Sequence, residues 1–267
     1  MTMKTTPRDL ADLFDDPTDA RASAIGMVAT DVDGTLTRGG VLVSETLSTI
    51  NALVHAGIEV VPISGRPAGE VLGLCRYLPG VCRAIAENGL VLIEPDVAPS
   101  FIEAPTDVAR LRAVGDRLNR EMGAGLRLAG DAFCRIGDVA YERDGRDVPT
   151  MTALKDVAAQ EGVFLVWSSV HIHLAERVPD KGAGLLLMLA RWGVSPATVA
   201  TIGDAPNDAG LFTASRFGLT VGTADVRSQL ADFPSAPEFV TQRPELDGFV
   251  EMAMGLLRAR GAKPPTH

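Results

Sequence analysis

The sequence predicts an α/β fold: a Rossmann-like open, mostly parallel sheet with an α+β cap domain inserted into it. Three observations carry this. Short apolar runs alternate with amphipathic helical runs towards both ends of the chain, the pattern of strands covered on both faces. The alternation breaks between residues 95 and 178, where the segments are shorter and more polar. Both junctions contain proline, Glu94-Pro95-Asp96 and Val178-Pro179-Asp180, as linkers do. The division is therefore a flexible segment 1–23, a core from 24–94 and 179–260, a cap 95–178 and a loose tail 261–267.

The elements follow in order. Ile25 to Thr30 is almost wholly apolar and reads as a buried strand. A helix is expected from Ser44 to Ala56, with Leu47, Ile50, Leu53 and Val54 on one face, Ser44 as its cap and Gly57 just past its end. Ile58 to Ile63 is a second strand, with Pro62 an awkward member because it has no ladder donor. Pro67 opens the next helix, Ala84-Ile85-Ala86 is a third strand, and Leu90 to Ile93 continues it as a hairpin. In the cap, helices are expected near 106–122 and 150–160, and strands near Leu126, 132–136, 139–142 and 170–175. Alternation resumes with a helix from Asp180 to Trp192 stopped by Gly193, strands at 198–202, 217–221 and 238–241, and a last helix over 247–260. In the opening segment only a short helix around Leu10 to Phe14 is expected.

Composition limits the function. The chain has 267 residues, 46% hydrophobic and 22% charged, enough to bury a core. Its net charge of -9 opposes general binding to nucleic acid or to an anionic membrane. No run approaches the roughly 20 apolar residues needed to span a bilayer, and no secretory leader is seen. Cys75, Cys82 and Cys134 cannot all pair and form no CxxC, so reduced thiols and a cytoplasmic location are expected. Oligomeric state is left open.

The chemistry concentrates at the carboxyl ends of three core strands, where ligands bind in open α/β sheets. The first strand runs into Asp31-Val32-Asp33-Gly34-Thr35-Leu36-Thr37, the second into Ser64-Gly65-Arg66, and a later one into Gly203-Asp204-Ala205-Pro206-Asn207-Asp208. Four carboxylates (Asp31, Asp33, Asp204, Asp208) in one crevice need a hard cation, and Mg2+ takes oxygen ligands while leaving room for a phosphate. Lys181 at a helix start can add the remaining positive charge. Ser64 with the N–H groups of Gly65 and Arg66 precedes a helix and suits phosphate oxygens. Taken singly, Ser64 and the Asp204/Asp208 pair read as helix caps and Lys181 as a surface lysine; their convergence favours a site. A calcium loop at Asp31 is excluded by a misplaced glycine and a strand where a helix should precede it.

These motifs, with Glu87-Asn88-Gly89 and Asp180-Lys181-Gly182, resemble the haloacid dehalogenase superfamily of phosphohydrolases, in the branch with a large type-II cap. The likeness runs from about Ala24 to Arg260. It implies Asp31 as nucleophile, Asp33 as general acid and base, Ser64 and Lys181 on the phosphoryl oxygens, and Asn207 orienting Lys181 or touching phosphate. It places Mg2+ on Asp31, the carbonyl of Asp33, and Asp204, with Asp208 nearby or linked through water. Ala205-Pro206 departs from the polar residues many relatives carry, which bears on loop stiffness rather than chemistry. The branch likeness to sucrose-phosphate, trehalose-phosphate, mannosyl-phosphoglycerate and phosphoglycolate phosphatases implies a Mg2+-dependent phosphomonoesterase for a sugar phosphate or a small phosphorylated acid. Its rivals are a phosphosugar mutase and a non-catalytic phospho-metabolite sensor. Arg66 reaches either substrate or cap. Glu87 and Asn88 either line the crevice or make a plain turn. His171 and His173 share a strand face, but zinc lacks a third ligand of suitable spacing.

Overall fold

The structure is a computed structural model that describes residues 6–16, 18–167, 170–213 and 216–262. In chain order its strands are β1 (Arg8–Asp9), β2 (Met27–Thr30), β3 (Glu59–Pro62), β4 (Ala84–Ala86), β5 (Val91–Ile93), β6 (Ser100–Phe101), β7 (Val139–Glu142), β8 (Phe164–Trp167), β9 (His171–Ala175), β10 (Val199–Gly203), β11 (Leu219–Gly222) and β12 (Phe239–Val240). The helices are α1 (Leu10–Asp15), α2 (Arg21–Ala24), α3 (Ser44–His55), α4 (Ala68–Tyr77), α5 (Val108–Met122), α6 (Val148–Gln160), α7 (Lys181–Trp192) and α8 (Glu245–Ala259).

The central sheet has six strands in the order β1-β12-β11-β10-β2-β3, every pairing parallel. Successive residues of β2 serve opposite faces. Val28 joins Val60, Ile202, Leu53 of α3 and Leu256 of α8, while Met27 and Ala29 join Val61, Leu185 and Met188 of α7, and Phe212. Both faces are thus covered, which explains why the strands read as continuous apolar runs. After β2 the chain adds β3 on one side and later returns to add β10, β11 and β12 on the other. The gap between the ends of β2 and β10 is therefore the switch point at which such sheets open a crevice.

The cap carries its own antiparallel sheet, β7-β9-β8, with α5 and α6 on it. Leu111, Leu118, Met151, Leu154, Ile172 and Leu174 form a separate apolar cluster there. Its helices begin where Asp107 accepts from Arg110 N and Asp147 from Thr150 N. Among the described residues no helix is long and apolar enough to cross a membrane. Cys75, Cys82 and Cys134 are free thiols.

Several expectations are corrected. The opening segment is not loose over residues 8–15: β1 pairs with β12, and Leu10 and Leu13 of α1 are buried, each such burial contributing about 1.5–3 kcal/mol. The closing residues 263–267 and the first five lie outside the described residues. In α3 the buried face is Thr46, Thr49, Ile50 and Leu53, with Leu47 exposed, and Ser44 is the first helical residue rather than the cap. The Thr46 hydroxyl takes the capping role by accepting from Val43 N at 3.4 Å. Pro62 stays in the ladder because β3 is an edge strand, where a missing donor is tolerated. The third core strand belongs instead to a small antiparallel sheet, β4-β5-β6, which meets the chain just past β3 at an Ile63–Ile85 bridge. In the cap, 132–134 is a single 3-10 turn rather than part of a strand, and near Leu126 only a Leu128–Tyr141 bridge forms. Strand β8 was not expected: its residues are apolar on both faces, so it shows no alternation.

Candidate active site

The crevice begins one residue past β2. Asp31 N donates to Ile202 O at 2.9 Å, which carries the β2–β10 pairing into the motif and fixes the Asp31 backbone. The chain then turns: Leu36 N returns to Val32 O at 2.8 Å, and Gly34 N donates to Thr37 Oγ1 at 2.9 Å. Gly34 sits at φ +82°, and a Cβ there would come 2.5 Å from Asp204 Oδ2. Only glycine meets both demands. Thr35 Oγ1 donates to Asp204 Oδ1 at 3.2 Å, linking the first motif to the last.

Lys181 is fully buried at the first position of α7, behind an Asp180 cap that accepts from Ala183 N. Its Nζ donates to Asp31 Oδ1 and to Asp208 Oδ1, both at 2.6 Å. Gly182, the next residue, packs on the Gly210 carbonyl, a closeness that no side chain would permit. That approach brings the helix start down onto the Asp208 loop. Asp208 is fully engaged: its Oδ2 accepts from Asp204 N at 2.9 Å and Ala205 N at 3.1 Å.

Asp31, Asp204 and Asp208 offer ligand oxygens within 4.8 Å of one another. Three carboxylates there face one ammonium. Burial and then the charges of Asp31 and Asp208 push the Asp204 carboxyl up to about 9. Burial and Asp208, opposed by Lys181, push Asp31 up to about 6. Burial alone would lower the Lys181 ammonium, but Asp208 and Asp31 outweigh it and hold it above its ordinary value. An all-oxygen donor set with excess negative charge fits a hard divalent cation. The chemistry of the donors therefore agrees with a metal centre, with Asp31 and Asp204 providing the more open oxygens.

The other expected residues take up distinct places. Ser64 is buried after β3, donating its N–H to Ile85 O and accepting from Arg66 N at its Oγ. The Arg66 guanidinium grips Asp33 with two hydrogen bonds, 2.7 and 2.8 Å, and reaches Glu70 at 2.6 Å. The Asp33 side chain is thus outside the acidic cluster, turned to the mouth of the crevice. Asn207 is exposed, and the hydrogen bonds of Lys181 Nζ run to Asp31 and Asp208 instead. His173 is buried with Nδ1 2.7 Å from Asp138 Oδ2, and His171 lies edge-on to it at 6.0 Å.

Sequence reasoning missed a second buried polar cluster, that of Arg135, Asp138 and Asp131, and gave Glu87 no specific partner. Arg135 spans Asp131 (2.7 Å), Asp138 (3.1 Å) and the Gly65 carbonyl (3.1 Å). Among the described residues, the Glu87 carboxylate accepts from four main-chain N–H groups. No single-sequence signal marks such contacts, because their partners are set by the packing of cap on core.

Comparison with known proteins agrees with this geometry. A family model described as haloacid dehalogenase-like hydrolase matches residues 144–236. A phosphoglycolate phosphatase of Methanoculleus marisnigri is 31% identical over 228 residues, 84% of this chain and 93% of the relative. One from Pyrobaculum neutrophilum is 32% identical over 246 residues, 90% and 98% of the two chains. Among solved structures, Thermoplasma acidophilum 0175 superposes with a TM-score of 0.73 at 18% identity, covering 87% of this chain and 98% of that one. A haloacid dehalogenase-like hydrolase from Bacteroides thetaiotaomicron gives 0.68 at 16% identity, covering 88% and 99%. The chain belongs to the haloacid dehalogenase superfamily of phosphohydrolases, in its capped form. It is a phosphatase, acting on a small phosphorylated substrate.

Proposed function

We propose that this phosphatase is Mg2+-dependent and hydrolyses a small phosphorylated acid, with phosphoglycolate the first candidate, through an aspartyl phosphate on Asp31. The observation that carries the reading is the buried Lys181 Nζ held between Asp31 and Asp208, with Asp204 in the same cluster. The names of the relatives support the substrate class.

In this reading an oxygen of Asp31 attacks phosphorus as the bond to the leaving alkoxide breaks, and Asp33 protonates that alkoxide. Asp33 then takes a proton from water. The water oxygen attacks the phosphorus, releasing phosphate and regenerating Asp31. Lys181 fixes the Asp31 side chain and offsets its charge. Ser64 Oγ already accepts from Arg66 N, which leaves its own O–H to donate to a phosphoryl oxygen beside the Gly65 N–H. Arg66 stands where it can exchange an acidic partner for the carboxylate of the substrate. Mg2+ on Asp31, the Asp33 carbonyl and Asp204, steadied by Asp208, would supply the charge that neutralises crevice and phosphoryl oxygens. Asn207 would reach the phosphate from the exposed side of its loop. The cap, residues 95–178, would close over the ester and exclude bulk water.

The test is phosphate release from 2-phosphoglycolate, 3-phosphoglycerate, glucose 1-phosphate and glucose 6-phosphate, with Mg2+ and with excess chelator. Fastest release from 2-phosphoglycolate, stopped by chelator and restored by Mg2+, is expected. Clean conversion of glucose 1-phosphate to the 6-phosphate would replace this reading with a mutase, and undiminished rates in chelator would remove the metal.

A further inference from the structure

Residues 87–89 leave β4 in a left-handed turn, with φ of +53°, +55° and +99°. Two of the three are not glycine, and backbone in this region persists only where its surroundings over-determine it. Here they do. Glu87 N donates to Arg66 O at 3.1 Å and Asn88 N to Ser64 O at 3.0 Å, so the turn is stitched to the proposed phosphate loop. The Glu87 side chain is fully buried. Its Oε1 accepts from Ala68 N (2.9 Å) and Ile136 N (3.0 Å), and its Oε2 from Gly137 N (2.5 Å) and Asp138 N (3.0 Å). Ala68 opens α4 directly behind the phosphate loop. The other three donors are successive amides of the cap, converging on one anion as in a backbone nest.

A second tie runs the opposite way. Arg135, its side chain 2% exposed, reaches from the cap to the Gly65 carbonyl while Asp131 and Asp138 hold its other donors. His173 braces Asp138 from β9. Cap residues 131–138 are therefore fastened to residues 64–68 by a core carboxylate and by a cap guanidinium.

We propose that Glu87 is a positioning residue, which sets the 131–138 segment of the cap against the phosphate loop and thereby sets discrimination on the non-phosphate part of the substrate. Arg135 is its counterpart from the cap side. The kinetic part of this inference rests on the phosphatase reading; the structural part does not.

Glu87→Gln is the deciding variant, because its NH2 would face N–H donors and leave part of the nest without an acceptor. Hydrogen exchange at the amides of 136–138 in the full chain is expected to rise at least about tenfold. The kcat/KM for 2-phosphoglycolate should fall about tenfold or more, chiefly through KM, while that for p-nitrophenyl phosphate changes less than about threefold. Arg135→Lys keeps a buried cation between the aspartates but loses the fork on Asp131 and the Nη1 hydrogen bond to the Gly65 carbonyl, and should give the same selective loss in smaller measure. It decides the matter if Glu87→Gln does not fold. Unchanged exchange at 136–138, or equal losses on both esters, would overturn the proposal. A wild type inert towards both esters would instead refute the catalytic reading, with the exchange measurement still judging the tie.

Discussion

The molecule holds two buried clusters of charge with opposite character. In the crevice the ammonium of Lys181 pairs with Asp31 and Asp208 but not with Asp204, which burial together with like charge pushes up. At the seam between cap and core, burial would raise Asp138 too, but His173 and then Arg135 outweigh it and hold it below its ordinary range. Both sites remove aspartates from water. Only at the seam is each aspartate hydrogen-bonded to a basic side chain, Arg135 or His173. The difference separates a cluster with negative charge in excess, suited to a cation, from one whose aspartates are paired and act as structure.

The largest effect should follow from Asp31→Asn. The amide is nearly isosteric and can still accept from Lys181, so folding should persist. It cannot form the acyl phosphate, and kcat should fall at least about 10³-fold, as for other nucleophile deletions. Phosphate release and circular dichroism on the same preparation check this. Near-normal turnover would mean that the crevice cluster is not the reacting centre.

The second effect belongs to the other cluster. Asp138→Ala leaves Arg135 and His173 buried without their shared partner, and should destabilise by about 3–5 kcal/mol in urea unfolding. Its pH dependence has a definite sign. A carboxyl held below its ordinary 3.8 contributes stability above that value and loses it as pH falls through the folded-state value. The acid limb of the wild type below about pH 4 should therefore be steeper than that of the variant. Equal limbs would show that Asp138 is not the group being held.

Asp204→Asn should move stability the other way. In chelator it removes a carboxylate that its neighbours disfavour, and the melting temperature should rise by the equivalent of roughly 1 kcal/mol. Excess Mg2+ should raise the wild-type melting temperature by linkage and leave the variant almost unmoved. A variant that melts lower than wild type in chelator would contradict the account of the crevice as unbalanced.

The crevice was legible in the sequence because each of its motifs lies just beyond a strand that apolar runs announce. Asp31 follows β2 and Asp204 follows β10, neighbours at the switch point, so fold class alone brings them together. Lys181 was legible for a similar reason, at a helix start marked by Asp180. The seam was not. Glu87 meets amides 49 to 51 positions away that belong to no particular side chain, and Arg135 was placed in a strand that does not form. Backbone partners leave no trace in residue identity. The N-terminal strand escaped for a different reason: two residues are too few for a period, and the short helix expected around Leu10 to Phe14 does not itself say where it packs.

Arg66 offers the smallest effect and a test at the border between the two clusters. It belongs to neither: its side chain is 41% exposed, and its partners Asp33 and Glu70 are 47% and 40% exposed. Exposed ion pairs contribute little, so Arg66→Ala should change stability by less than about 1 kcal/mol. Its effect on catalysis should nevertheless be visible. Without the guanidinium, Asp33 loses the fork that aims it at the mouth, and in the proposed reading a substrate carboxylate loses the cation offered to it. The KM for 2-phosphoglycolate should rise several-fold, whereas glucose 6-phosphate, which has no carboxylate, should show only the change that comes from a looser Asp33. Equal responses to the two esters would confine Arg66 to orienting Asp33 and remove it from substrate recognition.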